Sequence, residues 1–435
     1  MKYIKFFILF TILASFSANA ILEVNIIKSK EDSIPVVISS FPVYSNNNVI
    51  IKDTQIGKEI ASIIRDDLNR SGHFNTTAEK INTIPDFDFW QNHKKDAIVI
   101  GKIVQTSPKT YNVDLYVYDV YTEKQLYGKR IGVTNASIRK VAHILSDKIY
   151  YTLLGQKGAF NTKLTYVSIS HNEHGDSKYR LQISDADGYN PQTILPPTSK
   201  PILSPVWSSE PGRLRKIAYV SFENDRSEVF IAYPYLGINP TKLPRFDGIA
   251  SSPSWHPDGD SIALTISKNG NKDIYIYTLK NQNLKRVTTN VAIDTEANFS
   301  PDGKSIAFTS NRTGQVQVYI KNLKSGKISR ATFEGSYNAK PVFSPDGKDL
   351  ALIHRIGSDY RLALLDIASR DLMIMTQNKS DESPFFSPNG GMIIYGTNYD
   401  NKGILSIISL HNNQTVELMY KEGELREPSW SNYSN

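Results

Sequence analysis

The chain of 435 residues contains no cysteine. That excludes a disulfide scaffold, thiolate metal sites, iron–sulfur clusters and a cysteine nucleophile together. It leaves the compartment open, because a secreted protein of this size folds without covalent staples. Catalytic signatures are equally scarce. The sequence has no G-x-S-x-G elbow and no H-E-x-x-H, and residues 21–160 hold neither a Walker A motif nor G-x-G-x-x-G. A strong charge of one sign is also lacking. Fifty Lys and Arg against 43 Asp and Glu give +7 with no basic block, so no nucleic-acid partner is expected. Beyond the first residues no stretch reaches 18 apolar positions, which leaves nothing to span a bilayer as a helix.

What is present begins with an export signal. In MKYIKFFILFTILASFSANA, Lys2 and Lys5 precede a short apolar run from Phe6 to Leu13, and Ala18-Asn19-Ala20 offers an A-x-A cleavage site. The run is too short for a transmembrane anchor, and no cysteine follows it for lipid attachment. The mature chain is expected to start at about Ile21 with a charge of about +5.

Residues 21–160 mix two periodicities. Ile34 to Phe41 reads as a strand, with Pro35 tolerable near its start. Ile56, Ile60, Ile63, Ile64 and Leu68 recur at helical spacing between a capping Thr54 and a terminating Gly72. Ala97 to Val104, Tyr111 to Val120 and Gln125 to Val133 read as strands, the last two as a hairpin. A second helix runs from about Ser137 to Leu154 before Gly155. Helices on one face of a small mixed sheet are expected, a compact α/β domain.

From residue 164 an internal repeat replaces the helical period. SPSWHPDGDSIALTIS (252–267), ANFSPDGKSIAFTS (297–310), PVFSPDGKDLALIH (341–354) and PFFSPNGGMIIYGT (384–397) align, with a degenerate copy at 204–221 and a truncated one at 427–435. Their aromatics, Trp207, Trp255, Phe299, Phe343, Phe386 and Trp430, are spaced by 48, 44, 44, 43 and 44 residues. A fixed period near 44 in an all-strand pattern predicts β-propeller blades of four strands. Ser-Pro-Asp-Gly supplies the turn: Pro presets φ, Asp bonds its own backbone, and Gly takes the positive-φ position. Leu164 to Ser168 matches Ile217 to Ser221, a second strand, so the first repeat lacks its inner strand while the last consists of one. The segment around Trp430 should therefore close a six-bladed ring beside residues 164–195. The expected organisation is an α/β N-terminal domain followed by an all-β six-bladed β-propeller: signal peptide 1–20, N-terminal segment 21–33, α/β domain 34–160 and propeller 161–435.

Polar clusters give no catalytic constellation. His171-Asn172-Glu173-His174 falls in a polar loop, and Asp185-Ala186-Asp187-Gly188 resembles a calcium loop but lacks the later EF-hand ligands, so it reads as a turn. His143 lies near the apolar face of the second helix and reads as a packed or capping residue. No metal, cofactor or enzymatic activity is expected; the default is a binding scaffold. The loops entering the inner strands (198–205, 247–253, 293–297, 335–341, 379–384 and 423–428) gather at one mouth of the channel. They present acid, amide, hydroxyl and basic groups suited to protein recognition: Ser252, Thr295, Glu296, Asn338, Lys340, Asp381, Glu382, Ser383, Arg426 and Glu427. At the other end of the domain order, Leu22, Val24 and Ile26 alternate with Glu23, Asn25 and Ile27. This pattern can add as a strand to an exposed sheet edge, or form the first strand of the α/β domain.

Several strings extend the pattern to a known family. Residues 142–150 (AHILSDKIY), 155–160 (GQKGAF), 185–192 (DADGYNPQ) and 218–223 (AYVSFE) resemble A-H-x-x-S-D-x-I-Y, G-x-K-G-A-F, D-A-D-G-Y-N-P-Q and A-Y-V-S-F-E of the TolB family, periplasmic propellers of the Tol–Pal envelope system. The resemblance covers essentially the whole chain. It implies an adaptor that binds the lipoprotein Pal at the propeller mouth and the C-terminal domain of TolA through a short N-terminal segment, in support of outer-membrane integrity and constriction during division. Other outer-membrane or peptidoglycan-associated proteins are further candidate partners. The family's T-E-P corresponds to Thr295-Glu296, with Ala297 replacing Pro, and its D-E-T-P to Asp381-Glu382-Ser383-Pro384. Ser208 to Gly212 interrupts the second blade's turn, and Ile249 to Ser252 matches weakly. The TolA-binding segment would comprise Ile21, Leu22, Glu23, Val24, Asn25, Ile26 and Ile27, and its docking and release would couple the two partners. The competing expectation is a periplasmic propeller that binds a small ligand in its channel or associates with a hydrolase.

Overall fold

The computed structural model describes residues 23–27, 33–45, 50–51, 55–81, 85–420 and 422–433. The expected signal peptide, Ile21, Leu22 and the capping Thr54 lie outside the described residues.

The α/β domain is built on a seven-stranded sheet. The long strand Ala97–Ser107 is its axis: Ile34–Ser39 and Val43–Tyr44 lie parallel to successive parts of one edge, while Thr110–Asp119 runs antiparallel along the other. Gln125–Thr134 completes the hairpin and Phe74–Glu79 lies parallel outside Ile34–Ser39. Three helices accompany it: α1 (Gln55–Arg70), the short α2 (Phe87–Asn92) and α3 (Ile138–Leu154). Helices α1 and α3 pack together on one face. Strand alternation sends Val36, Ile38, Ala97 and Val99 to that side. Val37, Ile98 and Ile100 point to the other, where they meet Trp90 of α2. The expectation of helices on one face alone is thus corrected. Strand Phe74–Glu79 and α2 carry too few apolar residues at regular spacing to be read from the sequence. Gly155, at φ 71°, ends α3 in a left-handed cap.

Six blades follow; the chain runs outward from the channel through all four strands in five of them, and in the first through the outer three alone. The six repeat aromatics are the last residues of the six inner strands, 202–207, 249–255, 294–299, 338–343, 382–386 and 423–430. All six are buried. Trp255 shows how they serve: it packs among Ala218, Val220 and Ile231 of the second blade and Ile262 and Leu264 of the third, a wedge between neighbours. In the Ser300–Gly303 turn, Ser300 Oγ donates to Asp302 Oδ1 (2.7 Å) and accepts from Ser305 N (3.0 Å), while Gly303 takes φ 68°.

The ring closes as its sequence demands. Gly423–Trp430 pairs antiparallel with Lys163–His171, so the final strand is the inner strand of the first blade. Trp430 Nε1 donates to Thr162 Oγ1 at 2.8 Å, and Lys163 N donates to Ser431 Oγ at 2.9 Å. The outer edges are short: the first five outer strands span two to five residues, which limits edge-to-edge pairing. The sixth blade differs. Its outer strand Thr415–Met419 is covered by a fifth strand, Glu23–Ile27, in antiparallel register from Glu23 opposite Met419 to Ile27 opposite Thr415. The N-terminal segment therefore belongs to the propeller sheet and not to the sheet of the α/β domain.

The two domains share one apolar core. It runs from Ile60 and Ile64 of α1, through Leu145 and Ile149 of α3 and Phe160 of the connection, to Leu405, Leu418 and Trp430 of the propeller. Polar staples flank it. Ser409 Oγ donates to Ser71 O (2.7 Å), Asn412 Nδ2 donates to Gly72 O (3.0 Å), and the His73 and His411 rings stack at 4.0 Å. Burial, reinforced by His411, pushes the His73 imidazole down to about 4. Asp147 of α3 accepts from the N–H groups of Phe160 (2.9 Å) and Asn161 (3.2 Å), fixing the connection into the first blade.

Candidate functional site

Every inner strand breaks its ladder once at the channel. The register shifts between Leu203 and Val206, Ser251 and Ser254, Thr295 and Asn298, Ala339 and Val342, Glu382 and Phe385, and Arg426 and Ser429. At each break one residue adopts a left-handed backbone: Ser204, Ser252, Glu296, Lys340, Ser383 and Glu427, with φ between 48° and 56°. Five of the six precede proline and Glu296 precedes Ala297. Proline has no N–H to give the ladder, so it is tolerated at such a bulge and marks it. The repetition creates a ring of six backbone corners around a hollow of about 250 Å³.

The ring side chains are tied together across blades. Thr309 Oγ1 donates to Glu296 Oε2 (2.9 Å), which also accepts from Lys340 N (3.1 Å). Lys340 Nζ donates to Ser383 Oγ at 3.0 Å, and Ser204 N donates to Glu427 Oε2. Burial raises the Glu427 carboxyl above the ordinary glutamate value; Lys340 and the Ser204 N–H oppose this without cancelling it. Beside the channel, Arg426 bridges Glu424 (2.8 Å) and Glu382 (3.5 Å). A neighbouring hollow of about 330 Å³ is lined by Tyr337, Tyr360, Glu382 and Arg426, with Lys340 common to both walls.

The ten residues expected at the mouth therefore fall into four sets. Ser252, Glu296, Lys340, Ser383 and Glu427 are ring residues; Glu382 and Arg426 form the charged rim; Thr295 sits behind, its Oγ1 3.2 Å from Thr265 Oγ1. Asn338 and Asp381 point inward. Asn338 is fully buried, donating to Gln317 Oε1 (3.0 Å) and Glu334 O (2.8 Å) and meeting His354 Nδ1 at 2.8 Å. Asp381 accepts from Leu362 N (3.1 Å) and Thr376 Oγ1, and burial raises its carboxyl. Both hold their loops from within. The sequence reading places Ser204 and Tyr337 in mouth loops without singling them out, and does not reach Tyr360. Ser204 has a readable signal, since each ring residue stands three positions before its blade aromatic. The tyrosines have none, because their T-shaped contact at 5.4 Å joins Tyr337, just before an inner strand, to Tyr360 of strand Asp359–Asp366, 23 positions further on.

The polar clusters read as loops remain so. His171 to Asp176 form an exposed turn closed by Asn172, and Asp185 to Gly188 a turn closed by Gly188 N donating to Asp185 O at 2.9 Å. Among the described residues one group has the side chains for a metal, Asp67, His143 and Asp187. Its geometry is that of an ion-pair chain. Asp67 meets Arg70 (2.8 Å) and His143 Nδ1 (2.7 Å), while Asp187 approaches the opposite ring nitrogen at 3.8 Å and pairs with Arg139 at 2.5 Å.

Comparison with known proteins agrees with this architecture. Residues 22–126 match the TolB amino-terminal domain and residues 150–434 the TolB beta propeller domain. The Tol-Pal system protein TolB of Ruthia magnifica subsp. Calyptogena magnifica is 56% identical over 415 residues, covering 95% of both chains. That of Vesicomyosocius okutanii subsp. Calyptogena okutanii is 55% identical over 416 residues, covering 95% of this chain and 96% of its own. The crystal structure of TolB from Acinetobacter baumannii superposes with a TM-score of 0.82 at 36% identity, over 95% of this chain and 100% of that one. With the six-bladed ring, the preceding α/β domain and these full-length similarities in agreement, the chain belongs to the TolB family of the Tol–Pal system.

Proposed function

We propose that the protein is a non-enzymatic periplasmic adaptor that binds Pal at the propeller mouth and the C-terminal domain of TolA through residues 21–27, supporting outer-membrane integrity and constriction during division. The observation that carries this reading is the mouth: a ring of fixed backbone corners rimmed by Glu382, Arg426 and two tyrosines. A rigid polar rim around aromatic anchors suits a protein partner. A channel hollow of about 250 Å³ falls below the ~300–1,000 Å³ usual for small-molecule pockets, which disfavours a channel ligand. The pairing of Glu23–Ile27 with Thr415–Met419 supports a segment able to exchange one sheet edge for another, as strand addition requires.

The test is capture of purified Pal by the mature protein. Glu382→Lys combined with Arg426→Glu alters the rim and leaves the ring intact, whereas Glu296→Lys also severs the Thr309 and Lys340 contacts. Strong loss of Pal capture by the rim variant, with unchanged melting, is expected; equal capture removes the mouth site. Deletion of residues 21–33 should abolish TolA binding and change Pal affinity. Unchanged values for both partners would sink the N-terminal role and its coupling.

A further inference from the structure

A second large cavity lies away from the mouth. It has a volume of about 680 Å³ and sits between α3 and the first two blades. That is within the usual range of a small-molecule site. Three of the strings quoted from the sequence meet there: α3 supplies Arg139 and His143, the connection supplies Phe160, and the DADGYNPQ turn supplies Asp185, Tyr189 and Asn190. The mouth uses none of them.

The charges on its wall are unequally satisfied. Lys163 pairs with Asp185, and Arg139 pairs with Asp187 while its guanidinium lies 3.6 Å from the Tyr189 ring centroid. Arg215 is different. It is 2% exposed, yet among the described residues no carboxylate lies within ion-pair distance of its guanidinium. Nη2 donates to Tyr433 O at 2.6 Å and Nε donates to Glu210 O at 3.4 Å. A guanidinium has five N–H donors, so the remaining ones have no described acceptor. Elsewhere the buried Arg70 binds Asp67, and even the partly buried Arg312 binds both oxygens of Asp294 at 2.9 Å. A buried cation without a counter-ion is costly unless an anion is supplied. Arg213 and Lys140, both exposed at the rim, add positive potential at the entrance, and Tyr235 stands beside Arg215.

We propose that this interdomain cavity binds a small organic anion, whose carboxylate or phosphoryl group pairs with Arg215 and whose polar body lies against Tyr189, Asn161 and Asn190. The guanidinium offers the flat two-pronged donor edge that both head groups accept. The site is independent of the mouth and of the N-terminal strand.

Isothermal titration of the full mature protein tests it, with glucose 6-phosphate, glucuronate and neutral glucose as probes. Saturable 1:1 binding of one anionic probe and none of glucose is expected; which anion binds distinguishes a phosphoryl from a carboxylate ligand. Arg215→Gln should weaken binding about tenfold or more, and Arg215→Lys should restore part of it. Because Arg215 also holds two backbone carbonyls, Lys140→Glu with Arg213→Glu provides a second, exposed variant that should weaken binding without lowering the melting temperature. The Glu382→Lys/Arg426→Glu rim variant should bind the anion as the parent does, whatever it does to Pal. Absence of saturable binding by both anions, or binding unaltered in both the Arg215→Gln and the Lys140/Arg213 variants, overturns the proposal.

Discussion

Replacing Asp67 by Asn removes one charge and almost no volume from the chain of ion pairs that joins α1, α3 and the first blade. Asp67 is fully buried between Arg70 and His143, and His143 faces Asp187 on its other side. Removing one partner of a buried pair costs about 3–5 kcal/mol, because the others are left charged in a dry place. The loss should depend on pH. Burial alone would pull the His143 imidazolium down, but Asp67, by charge and hydrogen bond, together with Asp187 and Asp185, outweighs it and holds His143 above its ordinary value. A cation whose native value is raised contributes stability that is fully present below the unfolded value near 6.5 and is lost as pH rises through the native value. The parent protein should therefore weaken above neutrality, while D67N lacks most of that dependence. Urea unfolding followed by tryptophan fluorescence at three pH values, spanning slightly acid to alkaline conditions, measures both. The deficit of D67N should be largest on the acid side and shrink with rising pH. A deficit under about 1 kcal/mol in slightly acid buffer, where breaking a buried pair should cost several, refutes the reasoning. So does a deficit that grows with pH.

Three further outcomes follow from packing and charge. Trp430→Ala should cost about 3–5 kcal/mol for the buried ring and about 1 more for the bond to Thr162; thermal melting and proteolysis of the first blade read this directly. A β-carbon at Gly101 would lie 2.0 Å from the Phe41 ring, so Gly101→Ala should lower the melting temperature, and Phe41→Leu should recover part of the loss. Glu427 is raised by burial, so its ionised form opposes folding above the ordinary carboxylate range and this penalty disappears as pH falls below it. Glu427→Gln should accordingly match or exceed the parent in stability at neutral pH, with the difference fading in acid; melting curves at neutral and acid pH compare the two.

The propeller is legible in the sequence because its signal is repeated. One turn sequence and one aromatic recurring near every 44 residues predict blade number, strand order and closure by Trp430. The ring residues are legible for the same reason, each standing three places before its aromatic. What escapes is held by contacts remote in the chain. Asn338 and Asp381 look like any polar loop residue, and their burial depends on Gln317, His354, Thr376 and Leu362. His143 is readable as a packed residue on an apolar helix face. Its partners Asp67 and Asp187 lie 76 and 44 positions away, and no local pattern announces them. The strand Glu23–Ile27 can be read as edge-seeking, but the edge it covers lies almost 400 residues downstream.

The closing strand also sets the order of assembly. Its contacts join residues 268 positions apart, from Thr162 to Trp430 and from Lys163 to Ser431. Chain-closure entropy for so long a loop exceeds that of a ten-residue hairpin by about 3 kcal/mol. Each blade can gather itself from local hairpins, whereas the first must wait for a strand from the far end of the chain. Until that strand arrives the inner edge of Lys163–His171 stands open, and any extended segment able to pair there competes with it. The propeller thus has a late, all-or-nothing step, and its most vulnerable moment as a folding chain is the interval between five finished blades and the sixth.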